Sequence, residues 1–400
     1  MGPGSRPGRR RWAWRRPPRH RSAIDDRMTG AYARHWRAML AVNAAVMLGV
    51  FVHKLTLPPY IPYIHLLVDY HHGFIKRALI GAVVGLFTTK VPVWLVFALA
   101  GGVWLITFAL FVQLFRRMFG LDRNQLPLFI FTAGSPFVFK NFLFTLGHFD
   151  IYGCLGAIVL LLIPASSLAY VLLAALISAL LVLIHHIHLL MYVPTITAIV
   201  VLRYYLARPL TTRDVVVGAI ALLGLGALFL AAQFLGTMPL AEADFVTYLK
   251  TRMVDPSRSD LLQFAYVWYQ PLAKEVQDTW ARLPSNLLGV PVYALLLWLH
   301  LPLWRVFKQV VDALGEPRHR QIVIAALGMI SLAYLVMFAM VFDYSRWISS
   351  WVVCMVLMLH AVRTLPATKP VALIDGDERK TTILGWIVTV IPRVGIIRPF

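Results

Sequence analysis

The residues best suited to do chemistry lie in one short stretch, DYHHGFIKR, which runs from Asp69 to Arg77. A carboxylate, two adjacent histidines and a Lys-Arg pair occur there, in a chain that is 59% hydrophobic and only 14% charged. A carboxylate is able to act as a general base, and adjacent cations are able to hold a phosphate. This stretch is therefore the first candidate for an active site.

Three further polar groups interrupt the apolar sequence. They are Lys140, His148 and Asp150 in KNFLFTLGHFD, His185 and His188 in HHIH, and Asp343 and Arg346 in DYSRW. An aromatic run, YVWYQP, adds Tyr266, Trp268 and Tyr269. Whether these groups act together depends on the elements that carry them.

Those elements are predicted to be membrane-spanning helices. The charged fraction of 14% is far below the roughly 25% of soluble domains, and the mean hydropathy is +0.71. The apolar runs are continuous and long, unlike the alternating segments of a transmembrane β-barrel. The sequence therefore predicts an all-α polytopic membrane protein in contact with membrane lipids. Its net charge of +20 comes from short clusters between apolar runs, which argues against a nucleic-acid partner.

Apolar length and the distribution of basic residues predict about ten transmembrane helices, with both termini in the cytoplasm. The predicted spans are Trp36 to about Lys54, 91–114, 126–139, 151–165, 167–184, 189–204, 214–235, 289–304, 321–342 and 347–362. Residues 74–89 would reach only about 24 Å as a helix, short of a hydrocarbon core of about 30 Å, so they are predicted to lie in the interface. This choice places 27 of the 38 Lys and Arg residues inside, whereas the 18 acidic residues divide equally.

Three regions follow from this topology. They are a disordered basic cytoplasmic tail (1–35), a transmembrane helical domain (36–362) with outer loops at 55–90 and 236–288, and a cytoplasmic tail (363–400) with a short interfacial segment from Thr381 to Ile391.

The DYHHGFIKR stretch and the three further polar groups then all face the outer side, next to apolar helix ends. A pocket at that level suits a substrate with a lipid tail in the bilayer, a phosphate at the interface and a polar group in the outer aqueous space. Polyprenyl-phosphate-linked sugars have this shape. The spans hold almost no ionisable residue at mid-depth, which argues against a proton-coupled transporter.

The topology resembles that of GT-C-type membrane glycosyltransferases, which carry an acidic residue in the first outer loop beside a juxtamembrane helix. The DYHHGFIKRALIG stretch also resembles a Gly-Phe-Ile-x-Arg pattern of O-antigen-polymerase-like bacterial membrane proteins. The paired acidic motif common in that loop is absent, because Tyr70 follows Asp69. The resemblance implies sugar transfer from a polyprenyl-phosphate donor to a glycan or glycolipid acceptor, at the periplasmic face of a bacterial inner membrane, in polysaccharide or glycolipid synthesis.

By that resemblance Asp69 would be the general base; the alternative is an ion pair with Arg77 or Arg346 that stabilises the loop. The other polar residues are expected to bind phosphate or substrate. They are Lys76, Arg77, His71, His72, Lys140, His148, Asp150, His185, His188, Asp343 and Arg346. For the two cations of the first stretch the alternative is contact with lipid headgroups, and for Asp343 and Arg346 it is a local ion pair.

Two further expectations concern a metal and the aromatic run. No cofactor is expected, with a divalent metal on His148, Asp150, His185 and His188 as the alternative. Tyr266, Trp268 and Tyr269 are expected to stack on a sugar, or else to form an aromatic belt at the interface. Two other functions compete with glycosyl transfer: a transporter or flippase of a lipid-linked glycan, and a structural subunit of an envelope assembly.

Overall fold

The computed structural model describes residues 30–121, 125–341, 343–367 and 378–394, which form an all-helical protein without strands. The helices are α1 (Gly30–Leu55), α2 (Tyr60–Leu67), α3 (Leu79–Gly85), α4 (Trp94–Met118), α5 (Leu126–Thr132), α6 (Phe139–Phe144), α7 (Asp150–Leu162), α8 (Leu168–Ile184), α9 (His188–Met191), α10 (Val193–Val200), α11 (Thr212–Phe234), α12 (Glu242–Thr251), α13 (Leu272–Ala281), α14 (Leu283–Leu299), α15 (Leu301–Asp312), α16 (Pro317–Met340), α17 (Tyr344–Val362) and α18 (Glu378–Val390). A π-helical turn, Val201–Tyr205, follows α10, and two short 3-10 turns, Ser259–Leu262 and Ala265–Trp268, follow α12.

Five of these helices are long and apolar enough to cross a membrane: α1, α4, α11, α16 and α17. The pair α13 and α14, bent by 68° at the break between them, would make a sixth span. Leu223 and Phe234 of α11 are 75% and 69% exposed, as expected for a helix that faces lipid rather than water. The membrane prediction is confirmed at this level: the described residues are all-helical, with five or six helices able to span a bilayer.

Several predicted spans correspond to shorter elements. The segment 126–139 is not one helix but the pair α5 and α6, each at most seven residues long. The break falls at Gly134-Ser135-Pro136, where the proline lacks the N–H that a continuous helix needs. Helix α7 has 13 residues, and the segment 189–204 is divided between α9, α10 and the π-helical turn.

Two hydrophobic cores hold the structure together. The larger core lies within the bundle of long helices, whereas the smaller one joins the two predicted outer loops. Tyr63, Ile64 and Leu67 of α2 pack there against residues of the second loop, among them Phe245 and Trp268. The parts of both loops that surround this core, residues 56–93 and 236–271, are called the loop layer below. Because its two halves share one core, they lie on the same side of any membrane.

Glycine allows the helices of the loop layer to approach each other closely. A Cβ atom at Gly81 of α3 would lie 1.9 Å from the carbonyl oxygen of Val68, which ends α2. Gly236 is similarly confined, because a Cβ there would lie 2.4 Å from the carbonyl oxygen of Ala232. Its own carbonyl oxygen accepts a hydrogen bond of 2.9 Å from the backbone N–H of Lys76. These contacts fix the path of the DYHHGFIKR stretch between α2 and α3.

Helix α18 contains the segment predicted to lie in the interface, and it packs against α1 and α5. The side chain of Asn43 in α1 donates a buried hydrogen bond of 3.1 Å to Thr389. Lys140 lies at the end of this helix, where its ammonium donates to the carbonyl oxygens of Val388, Thr389 and Ile391 at 3.0, 2.6 and 3.2 Å. A cation at a helix C-terminus satisfies carbonyl groups that lack intrahelical partners. Lys140 therefore holds α18 in place, and its role as a substrate contact stays a prediction.

The close approach at Gly81 predicts a large effect of one methyl group. Gly81→Ala is expected to lower the free energy of unfolding by at least about 1–3 kcal/mol, because the new Cβ must displace backbone atoms of α2. Gly49→Ala is the matched control, since nothing lies within 4 Å of a Cβ there and alanine favours the helix. Thermal unfolding of both purified variants in detergent measures the difference. Equal melting temperatures would contradict the predicted packing.

Candidate functional site

The carboxylate of Asp69 is held by two side chains of the second loop. Arg252 donates to its Oδ2 at 2.5 Å, and the Tyr248 hydroxyl donates to its Oδ1 at 2.8 Å. The backbone N–H of His71 donates to Oδ1 as well, at 3.0 Å. Burial, followed by the bond to Asp69, raises the pKa of Tyr248 to about 12, so this phenol stays protonated and donates. Both carboxylate oxygens are therefore engaged in holding the loop layer together.

The ion-pair partner of Asp69 is neither Arg77 nor Arg346, the two candidates weighed from the sequence. His71 and His72 also pack on α12, with ring centroids 5.6 and 4.5 Å from that of Tyr248. These three residues of the first stretch therefore form a structural contact with α12.

Arg346 pairs with two carboxylates at the start of α7 and α17. Its Nε and one terminal nitrogen donate to Asp150 at 2.9 and 2.8 Å, in a bidentate arrangement. The other terminal nitrogen donates to Asp343 at 3.1 Å. The Asp150 side chain is 3% exposed and the Asp343 side chain 37% exposed, so only the first bond is shielded from solvent. The local ion pair between Asp343 and Arg346, weighed as an alternative from the sequence, is present. Asp150 is a second and more buried partner of Arg346.

Five histidines from three segments gather beside this ion pair. They are His65 of α2, His148 before α7, His185 and His186 after α8, and His188 of α9. The ring of Phe149 connects them, with its centroid 4.0 Å from His65 and 6.4 Å from His185. The ring of His185 lies 5.3 Å from His186 and 6.2 Å from His188. We call these residues the histidine cluster.

The histidine cluster is neutral and in part without hydrogen-bond partners. Burial lowers the pKa of all five imidazoles, that of His188 to about 4. The charge of Arg77 lowers four of these pKa values further. The Nδ1 of His186 is buried without a partner among the described residues, whereas a backbone contact with Gly147 opposes the fall in the pKa of His65 and one with Phe149 does so for His188. Buried polar atoms without partners are rare in proteins and are a feature of sites that bind a ligand or water.

Arg77 is the most unusual cation in the described structure. Its backbone has φ of 64°, in the left-handed region that arginine rarely adopts. Its Nε is buried without a partner, and its guanidinium forms no hydrogen bond or ion pair with a described residue. Burial, followed by the charge of Arg346, lowers its pKa, while the carboxylate of Glu275 opposes that change. Backbone strain and an unpaired buried charge are costly, and both occur most often at functional sites.

Lys76 lies next to this guanidinium and is itself 3% exposed. Its ammonium donates one hydrogen bond of 3.0 Å to the carbonyl oxygen of Gln270 in the second loop. Burial, with the charge of Arg77 as a second cause, lowers the Lys76 pKa to about 8. The ammonium retains two N–H donors for a ligand.

Two apolar grooves end at the histidine cluster, each with about 340 Å³ of empty space including the part open to solvent. The His148 groove lies between α2, α3, α4 and α7, and its walls include Leu66, Ile80 and Val103. The His186 groove lies between α9, α11, α13 and α16, and its walls include Phe229 and Met337. Each groove therefore combines an apolar surface with one imidazole of the same cluster.

The remaining predicted residues lie elsewhere. Trp268 is fully buried in the core of the loop layer, which keeps its ring from stacking on a sugar in this structure. Tyr266 is 41% exposed, and Tyr269 is partly buried, with no partner for its hydroxyl among the described residues. Within the ranges that the structure describes, no group of three or more His, Cys, Asp or Glu side chains is arranged to hold a metal ion.

Sequence reasoning missed Arg252, Tyr248 and Glu275, and it did not count His65 or His186 among the site residues. His65 stood alone in an apolar run four residues before Asp69, a signal that was available. The three residues of the second loop carried no such signal, because that loop contains other charged and aromatic side chains at irregular spacing. Which side chains of the second loop reach the site depends on how the two loops pack.

Comparison of the chain with protein-family models, with curated proteins and with solved structures finds no match. The resemblance of DYHHGFIKR to GT-C-type and O-antigen-polymerase-like proteins therefore remains a resemblance. Any functional proposal depends on the geometry of the site.

The Arg346 pair predicts two very different mutational effects. Arg346→Gln leaves Asp150 buried without its counter-charge and is expected to lower the free energy of unfolding by about 3–5 kcal/mol. Asp343→Asn removes the more exposed partner and is expected to cost at most about 1 kcal/mol. Thermal unfolding of the two purified variants in detergent tests this order. Similar losses in both would show that Asp150 does not depend on the bidentate contact.

Proposed function

We propose that the protein is a GT-C-like membrane glycosyltransferase, in which Arg77 binds the phosphate of a polyprenyl-phosphate-linked sugar. The observation that supports this proposal is the partly buried Arg77, whose Nε is buried without a partner among the described residues, beside neutral imidazoles and apolar grooves. A phosphate would add a counter-charge to that of Glu275 and accept two parallel hydrogen bonds from the guanidinium fork. Lys76 would add a second positive charge.

The lipid part of the donor is assigned to the His148 groove. Its walls are mostly apolar, with the His148 imidazole and the Tyr152 phenol as the polar side chains. A polyprenyl chain matches the walls, and a phosphate at the end of that chain would come close to the histidine cluster. A free sugar phosphate would not use the apolar walls, which favours a lipid-linked donor.

The ten-span topology belongs to this proposal. The five or six long helices would be completed by α7, α8 and the other short apolar segments, packed within the bundle. The excess of basic residues in the predicted inside loops then places the loop layer at the periplasmic face of a bacterial inner membrane. Both termini would be cytoplasmic.

The chemistry assigned to these residues is electrostatic. When the bond between the sugar and the phosphate breaks, negative charge develops on the phosphate oxygen, and preorganised cations stabilise that charge. Arg77 and Lys76 are the cations available for this task. Arg346 already pairs with Asp150 and Asp343, so its assigned role is to position α7 and α17 around the site.

Binding of undecaprenyl phosphate to the purified protein in nanodiscs tests the phosphate site. Arg77→Gln is expected to weaken binding at least about tenfold, as for the loss of a charge-assisted hydrogen bond. Its melting temperature is expected to stay equal or to rise, because the variant removes an unpaired buried charge. The control is Arg258→Gln, which changes an exposed arginine of the same layer. Wild-type affinity in Arg77→Gln would contradict the assignment.

Transfer is measured with proteoliposomes that contain polyprenyl-phosphate-linked hexoses and pentoses. The expected result is release of polyprenyl phosphate together with a new glycosidic bond, detected by mass spectrometry. Movement of the intact lipid-linked sugar across the bilayer, with no bond broken, would identify a flippase instead.

Lys76 gives phosphate binding a predicted pH dependence. Its pKa of about 8 means that the ammonium loses its charge as the pH rises from 7 to 9, whereas the phosphate stays ionised. Affinity for undecaprenyl phosphate is expected to fall about tenfold over this range. Lys76→Arg keeps its charge and is expected to bind equally at both pH values. If Lys76→Arg lost affinity between pH 7 and pH 9 as the wild-type protein does, another group would be the one that titrates.

The effect of Lys76 on stability has the opposite sign. Its folded-state pKa of about 8 lies below the ordinary value of 10.5, so the unfolded chain binds more protons between these pH values. The contribution of Lys76 to stability therefore rises with pH across this window. Weaker binding at pH 9 would therefore not result from a loss of stability caused by deprotonation of Lys76.

A further inference from the structure

We propose that the His186 groove binds the acceptor, an amphiphile with an apolar tail and a hydroxyl-bearing head, and that Glu275 is the base that deprotonates this hydroxyl. The inference rests on the proposed function and assigns the second substrate and the base of that reaction.

Glu275 is the best placed of the carboxylates near the cluster to accept a proton. It lies on α13, is partly buried, and its carboxylate has no hydrogen bond or ion pair with a described residue. Asp69 is held by Arg252 and Tyr248, and Asp150 is held bidentately by Arg346. A base needs a free lone pair within reach of the hydroxyl that it deprotonates.

The walls of the His186 groove match an amphiphilic ligand. Its polar side chains are His186, Gln233 and Glu275, and the other wall residues are apolar, among them Phe229 and Met337. A few polar groups among apolar walls are the composition of a site that orients the head of an amphiphile. A hydroxyl between the imidazole and the carboxylate would find both a donor and an acceptor.

The polar side of this groove adjoins the phosphate site. The charge of Arg77 is the main electrostatic cause, after burial, that lowers the pKa of His186. Glu275 in turn acts on Arg77 and on Lys76, raising both pKa values against the effect of burial. The groove thus brings a free carboxylate close to the cations that would hold the donor phosphate. A donor in the His148 groove and an acceptor in the His186 groove would meet at the histidine cluster.

The reaction balances with these groups alone. The acceptor oxygen forms a bond to the anomeric carbon of the sugar, and the bond from that carbon to the phosphate oxygen breaks. The bonding electron pair leaves with the phosphate oxygen, where Arg77 stabilises the charge. The hydroxyl proton passes to the Glu275 carboxylate and from there to solvent. A general base of this kind contributes about 10²- to 10⁴-fold to the rate.

The test uses octyl β-glucoside as the acceptor probe and the donor sugar that the wild-type protein releases fastest. Glu275→Gln is expected to lower transfer at least about 100-fold while still binding undecaprenyl phosphate. The matched control is Glu242→Gln, the same change at an exposed carboxylate on α12, and it is expected to keep full transfer. Wild-type transfer by Glu275→Gln would overturn the assignment of the base.

Asp69→Asn separates this inference from the proposed function. If Asp69→Asn abolishes transfer with its fold intact and Glu275→Gln does not, the base is Asp69 and the transferase proposal stands. If the wild-type protein neither binds undecaprenyl phosphate nor releases it from any lipid-linked sugar, the proposed function itself fails.

The groove is tested independently of activity by photolabelling with an alkyl glucoside that carries a diazirine in its tail. Labels are expected on peptides from α11 and α16, which contain Phe229 and Met337. Labels confined to other helices would overturn the placement of the acceptor.

Discussion

One guanidinium, that of Arg252, holds together the part of the structure on which the candidate site depends. It donates to the carboxylate of Asp69, to the carbonyl oxygen of Leu67 at the end of α2 and, more weakly at 3.4 Å, to that of Gly81 in α3. These three groups lie in the first loop, whereas Arg252 ends α12 in the second. A buried arginine with several acceptors fixes orientation as well as distance, because its donors form a rigid fork. The small core of the loop layer closes around this contact.

The loop layer in turn explains how Arg77 is kept in an unfavourable state. Its neighbour Lys76 is anchored on both sides, through its backbone N–H to Gly236 and through its ammonium to Gln270. With the chain held on one side of Arg77 and α3 on the other, the left-handed backbone of Arg77 can be maintained. Stability gained from the Asp69 and Lys76 contacts offsets the cost of one strained and unpaired cation. The contrast with Arg346, which is fully paired, separates a structural arginine from a candidate binding residue.

Two apolar grooves reach the same cluster from two sides. Each ends at an imidazole that burial keeps neutral, so the cluster offers hydrogen bonds without adding charge. Besides the paired Arg346 and Asp150, the charged groups nearby are Arg77 and Lys76 on one side and Glu275 on the other. This arrangement fits a reaction in which charge develops on a phosphate and a proton leaves a hydroxyl, since each event has a group of the right sign nearby.

The sequence by itself determined that the chain is helical with several segments apolar enough to span a membrane, and it predicted the bounds of α4, α8, α11, α16 and α17 to within a few residues. Hydropathy and charge are local properties that can be summed along a segment, which is why these predictions succeeded. Only the tertiary structure decided that Asp69 pairs with Arg252, 183 residues away, that Lys140 ends α18, and that the Glu275 carboxylate has no hydrogen bond or ion pair among the described residues. Such pairings arise when distant segments share a core, and no local pattern records which of many charged side chains will meet.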